Sequence, residues 1–428
     1  MAEIKDMYKK VVKDNFPDRI TMDFGGQVLE YRKKVWSIYD ADEKADVERG
    51  VRYGENPDQP AAMYQLVNGN IVLGGVTFFD PKSGLVSRVT EKDMLQVGKH
   101  PGKINLTDVD NALNILKFLD KKPACTIMKH NNPCGAAYGS TQAEAFEKAF
   151  WSDRIAAFGG AVVMTKTVDE ETAKAMVPYY FEVICAPDFE GRAIEILKKW
   201  KNLRLLKIAE IERLQAYKFK RLIDIKSLMD GGIIIQESQP FTIKGKDDLK
   251  AAETKYKGET YKIKREPTVR EYEDMLFGWY VEQGVSSNSA LFVKNEATVA
   301  IGTGEQDRVG VVEIAVFKAY KKFMDVEVFK KYGMPYAELR REAMQGKRDM
   351  NDVLEVEKLT SEKKGGLGGS VVVSDGFFPF RDGVDAAISE GVSGVIQPGG
   401  SERDFEVIEA CNESNVTMVF TGQRLFKH

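Results

Sequence analysis

The feature that most constrains this chain is a repeated alternation of short apolar runs with amphipathic segments. Residues 124–128, 160–164, 181–186 and 203–208 are apolar runs too short for helices, and they read as buried strands. Between them, 141–151, 170–176 and 192–200 carry apolar residues at helical spacing. The same pattern returns later. A helix at 269–282 precedes runs at 290–293 and 298–301, joined by a turn at Asn295 and Glu296, which read as a hairpin. Strands at 371–374, 393–397 and 416–421 then alternate with helices at 382–390 and 404–413. Such alternation requires crossover connections and a parallel or mixed sheet covered on both faces, so the fold class is α/β.

At 428 residues the chain is too long for one ordinary core. Residues 1–50 read as an N-terminal helix and extension, 51–237 as a first subdomain, 238–267 as a polar, lysine-rich connection, and 268–428 as a second subdomain with a helical insertion near 326–362. Ile4, Met7, Tyr8, Val11 and Val12 fall at helical spacing among charged residues, which predicts an amphipathic helix over 1–19 rather than a signal peptide. Residues 21–39 alternate like strands, and the charged stretch 40–49 reads as helix or link. A helix is predicted over 106–120 with Thr107 as its N-cap, and a long one from near Gln306. The glycine run at 363–370 is followed by a strand, so it reads as a flexible joint and not as a phosphate cradle.

Charge and cysteine usage narrow the partners. Lys plus Arg number 62 against 65 acidic residues, and a net charge of −3 gives no global attraction to nucleic acid or an anionic membrane. No apolar run approaches the roughly 20 residues needed to cross a bilayer. Cys125, Cys134, Cys185 and Cys411 are scattered, as in a reduced, cytoplasmic protein. Cys134 follows a proline, but Ala137 stands where a zinc deaminase has its second cysteine, and no His-x-Glu precedes it, which argues against catalytic zinc.

Chemistry concentrates in the loops. Lys129 and His130 end the strand at 124–128, and Asn131 to Gly135 follow with turn residues, so a cation and an imidazole share a strand's carboxyl end, where ligands bind in open α/β sheets. There are only three histidines, and His130 alone combines such a turn with a cationic neighbour. The loop Arg52-Tyr53-Gly54-Glu55-Asn56-Pro57 opens with a guanidinium and an aromatic. Ser286 to Ser289 offer hydroxyls and an amide, Arg308 stands in a helix's first turn, and Phe377 to Asp382 set aromatics beside a carboxylate.

Taken in order, these loops form a set: Arg-Tyr-Gly-x-Asn-Pro, Lys-His-x-x-Pro-x-Gly, Ala-Phe-Gly-Gly, Ser-Asn-Ser, Gly-x-Gly-x-x-x-Arg, Ser-Asp-x-Phe-Phe-Pro-Phe-Arg-Asp, Pro-Gly-Gly-Ser and a terminal Arg-Leu-Phe-x-His. The set resembles the aminoimidazole carboxamide ribonucleotide (AICAR) transformylase domain of the bifunctional purine-biosynthesis enzyme, over residues 51–428. The resemblance implies two cytidine-deaminase-like three-layer subdomains with mixed sheets. It also implies formyl transfer from 10-formyltetrahydrofolate to the 5-amino group of AICAR on the route to IMP, in a homodimer with active sites at its interface. No catalytic metal is implied, although some family structures hold a structural cation, expected to be potassium.

By the same resemblance, His130 corresponds to the proton acceptor and Lys129 to the stabiliser of the oxyanion that develops as the amine attacks. Arg52, Tyr53, Gly159, Glu182, Asn288, Phe377 and Arg424 correspond to nucleotide contacts, and Arg308, Val309, Asp382, Ser401 and Glu402 to folate contacts. Two departures stand out. Asp58 occupies the place of a family histidine after Asn-Pro, and an aspartate beside His130 would raise its basicity. Only 50 residues precede Val51, too few for the family's cyclohydrolase domain, so no cyclohydrolase activity is expected. Two other readings remain: a catalytically impaired, nucleotide-binding regulatory protein with Asp58 as the lesion, and a transferase using formate with ATP, which the lack of a Walker-type loop disfavours.

Overall fold

The computed structural model describes residues 11–40, 44–98 and 100–428. Two compact units share the chain, one formed by Met1–Asp120 and Gly159–Phe241, the other by Lys121–Phe158 and Thr242–His428.

In the first unit, strands Ala161–Met164, Val183–Ala186 and Arg204–Lys207 lie side by side and parallel, with Met94–Gln96 antiparallel at the edge. Every residue of the first two strands is buried, as expected of a parallel sheet covered on both faces. Helix Lys103–Leu116 packs against Ala161–Met164, and helices Glu170–Met176 and Gly191–Leu197 pack on each other. A separate antiparallel sheet of Arg19–Phe24, Gln27–Lys33 and Tyr64–Asn68 covers a small core of Leu29, Ile71, Phe78 and Ile223. The hairpin Ile223–Ser227 and Ile233–Glu237 is exposed along nearly its whole length.

The second unit has a longer mixed sheet. Its strands run Lys250–Ala251, Thr417–Phe420, Gly394–Gln397, Val371–Ser374, Ala290–Lys294, Ala297–Gly302, Asn132–Tyr138 and Ala124–Lys129. Val371–Ser374, Gly394–Gln397 and Thr417–Phe420 are parallel, and the others pair antiparallel. Side chains divide between the faces by strand alternation. Phe292, Val372, Val395 and Met418 share a core with Val311, Ala315, Val384, Val407 and Ile408, which come from helices Arg308–Tyr332, Asp382–Ser389 and Asp404–Glu413. On the other face, helix Val269–Glu282 lies close enough that a Cβ at Gly278 would fall 2.4 Å from Val373 Cγ2. The unit is therefore three layers deep, and the α/β class holds.

Several local expectations are corrected. Residues 1–10, where most of the predicted N-terminal helix falls, lie outside the described residues; from 11 to 17 there is no regular structure, and Arg19 begins a strand. In the charged stretch read as helix or link, residues 41–43 lie outside the described residues and Ala45–Arg49 is a strand paired with Trp36–Asp40. The helix predicted from 106 begins at Lys103, because Asn105 Oδ1 accepts the Gly102 N–H and so supplies the start signal; the Thr107 hydroxyl instead donates to carbonyls one turn back. The long helix opens at Arg308, capped by Asp307, two residues past Gln306. The glycine run is no loose joint. Gly365, at φ +59°, lies against the Tyr320 amide of the long helix, where a Cβ would approach to 2.7 Å, and Leu367 beyond it is fully buried.

One half-buried histidine gives the first unit a pH response. The His100 ring meets the Gly50 carbonyl through Nε2 and sits edge-on to Trp36 at 5.6 Å. Burial, reinforced by the Arg204 and Arg49 cations, lowers its pKa from 6.5 to about 4, so it is neutral in the fold. The unfolded chain takes up this proton below pH 6.5 and the folded one only near 4. Its contribution is therefore complete above 6.5 and is lost as pH falls from 6.5 to 4, by up to about 3 kcal/mol. Denaturant unfolding at pH 7.5 and 4.5 should show a smaller acid loss for His100→Gln than for the unaltered protein; equal losses would contradict this role.

Candidate functional site

The second unit carries the imidazole and ammonium pair. Strands Ala124–Lys129 and Asn132–Tyr138 pair with Lys129 opposite Asn132, leaving His130 and Asn131 as a two-residue loop at φ +54° and +61°. This is the geometry of a type I′ hairpin turn, for which Asn and Gly are suited. A histidine there costs roughly 1 kcal/mol. The predicted turn over residues 131–135 is shorter than the sequence implied: Asn132 to Gly135 belong to the returning strand, with a register shift between Pro133 and Gly135 that accommodates the missing proline N–H. His130 is exposed, and Lys129 Nζ donates to the Phe158 carbonyl at 2.6 Å.

Hydrogen bonds lace this turn to three other loops of the same unit. Asn132 Oδ1 accepts from the Ser286 N–H at 2.9 Å and the Thr303 hydroxyl at 3.1 Å. Lys427 Nζ donates to the Asn131 and Gly284 carbonyls, and the Lys427 carbonyl accepts from the Ser287 N–H. At the centre lies Arg308, whose Nη1 donates to the Ser289 carbonyl, the Ser374 hydroxyl and Asp375 Oδ1, and whose Nη2 donates to Asn288 Oδ1. Asp375 is fully buried and also accepts from the Ser289 N–H and the Ser287 hydroxyl, while its carbonyl accepts from the Leu425 N–H at 3.0 Å. Behind them Glu282, accepting from the Ser289 hydroxyl, is fully buried; burial first and Asp375 second push its pKa well up.

The remaining candidates of this unit line the same strand ends. Arg424 is exposed, with its guanidinium 4.4 Å from the centre of the Phe426 ring. Phe377 is exposed one residue beyond Gly376, whose backbone packs on Arg308 and Phe426. Val309 is half-buried beside Arg308. Exposed Asp382 opens its helix and accepts from the Gly383 N–H, while Ser401 and exposed Glu402 precede the helix Asp404–Glu413. Among the described residues no hydrogen bond joins Asp382, Ser401 or Glu402 to Arg308 or His130. The sequence-derived set is thus tightly joined around Arg308, Asn288 and the His130 turn and looser at Asp382, Ser401 and Glu402.

The first unit holds the other group. Arg52 is buried, its Nη2 donating to the Tyr53 hydroxyl at 2.9 Å while its guanidinium carbon lies 4.5 Å from the ring centre. This pair is lashed to the start of helix Lys103–Leu116 by Arg52 N to the Pro101 carbonyl and Lys103 N to the Tyr53 carbonyl. Glu182 Oε2 accepts from Asn105 Nδ2 at 2.8 Å, and Arg204 Nη1 stands 3.6 Å from the same oxygen. Gly159, at φ +73°, donates its N–H to the Tyr180 carbonyl nearby. Asp58 is exposed in the loop closed by Gly54 N to the Gln59 carbonyl.

Asn105, Arg204, Glu282 and Asp375 are functional candidates that the sequence reading missed. Arg204 had a signal, a charge inside the apolar run 203–208, and Asp375 stood within a quoted motif. Among the described residues no group of three or more His, Cys, Asp or Glu is poised to hold a metal, and no helix is long and apolar enough to cross a membrane.

Comparison with known proteins identifies the family. Residues 19–318 match the sequence model of the family described as AICARFT/IMPCHase bienzyme. The bifunctional purine biosynthesis protein PurH of Persephonella marina is 38% identical over 380 residues, 88% of this chain and 59% of that protein. Its counterpart in Aquifex aeolicus is 33% identical over 409 residues, 95% of this chain and 65% of that protein. That of Caldicellulosiruptor saccharolyticus is 33% identical over 380 residues, 88% of this chain and 59% of that protein. The chain thus spans 59–65% of the length of these relatives. With its family model matched across most of its length, the chain belongs to the AICARFT/IMPCHase family.

Proposed function

We propose that this protein transfers the formyl group of 10-formyltetrahydrofolate to the 5-amino group of AICAR, a step of purine biosynthesis. The observation that carries the reading is His130, held beside Lys129 in a turn whose backbone disfavours it, in a chain of this family. The acceptor amine is conjugated with a heterocycle and a carboxamide and is a weak nucleophile. His130 takes its proton as the nitrogen bonds the formyl carbon; Lys129 leaves the Phe158 carbonyl to stabilise the resulting oxyanion; collapse breaks the bond to folate N10, which takes up a proton.

In this proposal Arg52, Tyr53, Gly159, Glu182, Asn288, Phe377 and Arg424 contact the nucleotide, with guanidinium groups suited to phosphate and the carboxylate to ribose hydroxyls. Arg308, Val309, Asp382, Ser401 and Glu402 serve the folate, Asp382 accepting paired hydrogen bonds from its amino-pyrimidine edge. The four cysteines are buried and free, in keeping with a cytoplasmic setting. A structural potassium ion belongs to the proposal on the family resemblance alone, with no ligands assigned to it. The impaired regulatory reading is not favoured, since Lys129 and His130 both stand at the turn.

We further propose a homodimer. The exposed hairpin carries Ile233, Ile234, Ile235, Leu228 and Met229 in the open, and a lone apolar hairpin is marginal in water unless covered. Light scattering should give about twice the 48.0 kDa chain mass, and the monomer mass would contradict it.

The central test is single-turnover transfer with both substrates. His130→Asn suits the turn better than the native residue, so it should melt no lower than the unaltered protein while losing about 10²–10⁴-fold in rate. Retained activity in that variant would remove His130 as the base.

A further inference from the structure

We propose that Arg204 is a positioning residue that fixes the Glu182 carboxylate toward the nucleotide, an inference resting on the formyl-transfer reading. Arg204 sits in the strand Arg204–Lys207 and is 2% exposed, a cation embedded in an apolar sheet. Such a burial costs several kcal/mol unless the charge is paired and bonded, so its partners are its reason for being there. Nη1 donates to the Glu182 carbonyl at 3.1 Å and lies 3.6 Å from Glu182 Oε2; Nη2 donates to the His100 carbonyl at 3.2 Å. One rigid guanidinium thereby ties together two segments, Glu182 and the stretch through His100 that leads into Pro101, which holds Arg52.

The bonding is incomplete in an informative way. Nε of Arg204 is buried without a hydrogen-bond partner, and its nearest anion is only the partly exposed Glu182. Burial and then the neighbouring Arg52 lower the Arg204 pKa to about 10, so it stays cationic at neutral pH, with Glu182 as its opposing carboxylate. With Oε2 engaged by Asn105 and drawn toward Arg204, the other oxygen of Glu182 is left to accept from a ligand's hydroxyls. A lysine at 204 would keep the charge but could not span both carbonyls.

The test is a double-mutant cycle on the full protein with Arg204→Lys, Glu182→Gln and the pair, measuring KM for AICAR, KM for 10-formyltetrahydrofolate and kcat. Arg204→Lys is expected to raise KM for AICAR about tenfold, with kcat and the folate KM within about twofold, and the pair should be no worse than Glu182→Gln alone. Additive losses, or a fall in kcat with KM unchanged, would overturn the proposal. Arg204→Gln, which buries no charge, replaces the lysine variant if that one fails to melt cooperatively; failure of both to fold would show that Arg204 supports the fold and not the carboxylate, and would also overturn it. If the unaltered protein transfers no formyl group, the formyl-transfer reading falls, and the same cycle is read from calorimetric binding of AICAR. There, non-additive weakening supports the positioning role and additive weakening rejects it.

Discussion

The ion pair between Arg308 and Asp375 is the interaction on which the second unit's loops depend. Neither charge can be left alone at that depth, and removing one partner of such a pair costs about 3–5 kcal/mol. The pair is also saturated with hydrogen bonds, from Ser287 and Ser289 to Asp375 and from Arg308 to Ser374 and Asn288. Four stretches distant in sequence are therefore fixed at the ends of one sheet: residues 286–289, the start of the long helix, residues 374–376, and the C-terminal stretch through Leu425. Glu282 lies behind them, its pKa pushed up by burial and by the Asp375 charge.

That rigid frame explains how a histidine can occupy a tight turn that favours asparagine or glycine. The backbone cost at His130 is small beside the energy of the frame that holds Asn131 and Asn132 from the far side, through Lys427, Ser286 and Thr303. The frame holds the backbone while the imidazole projects free. Strain at such a position is an argument for use, because nothing in the packing of the turn itself asks for an imidazole.

The sequence made much of this legible, and for identifiable reasons. Strands such as Val371–Ser374 and Gly394–Gln397 are apolar on both faces, and their flanking helices carry a clear period, so the α/β class could be read directly. Motif order pointed to His130, Arg52 and Asn288 because those residues sit in loops whose composition has no packing purpose. The limits were equally physical. Gly365 read as looseness, though it is needed for close approach to the long helix, and the helix at Lys103 was placed late because its start signal lies in a glycine and the side chain of Asn105. Glu282 escaped notice because its setting comes from Asp375, far away in sequence, and the only local sign of Arg204 was a charge inside an apolar run.

The account rests on His130 being the group that receives the amine proton. The most direct measurement is a crystal structure of the protein with AICAR and a non-reactive analogue of the formyl folate. The account requires the 5-amino nitrogen to lie within about 2.6–3.2 Å of a His130 ring nitrogen, with Lys129 turned from the Phe158 carbonyl toward the formyl oxygen's position. A nucleotide bound with its amine against a different acid or base, and His130 still facing solvent, would contradict it.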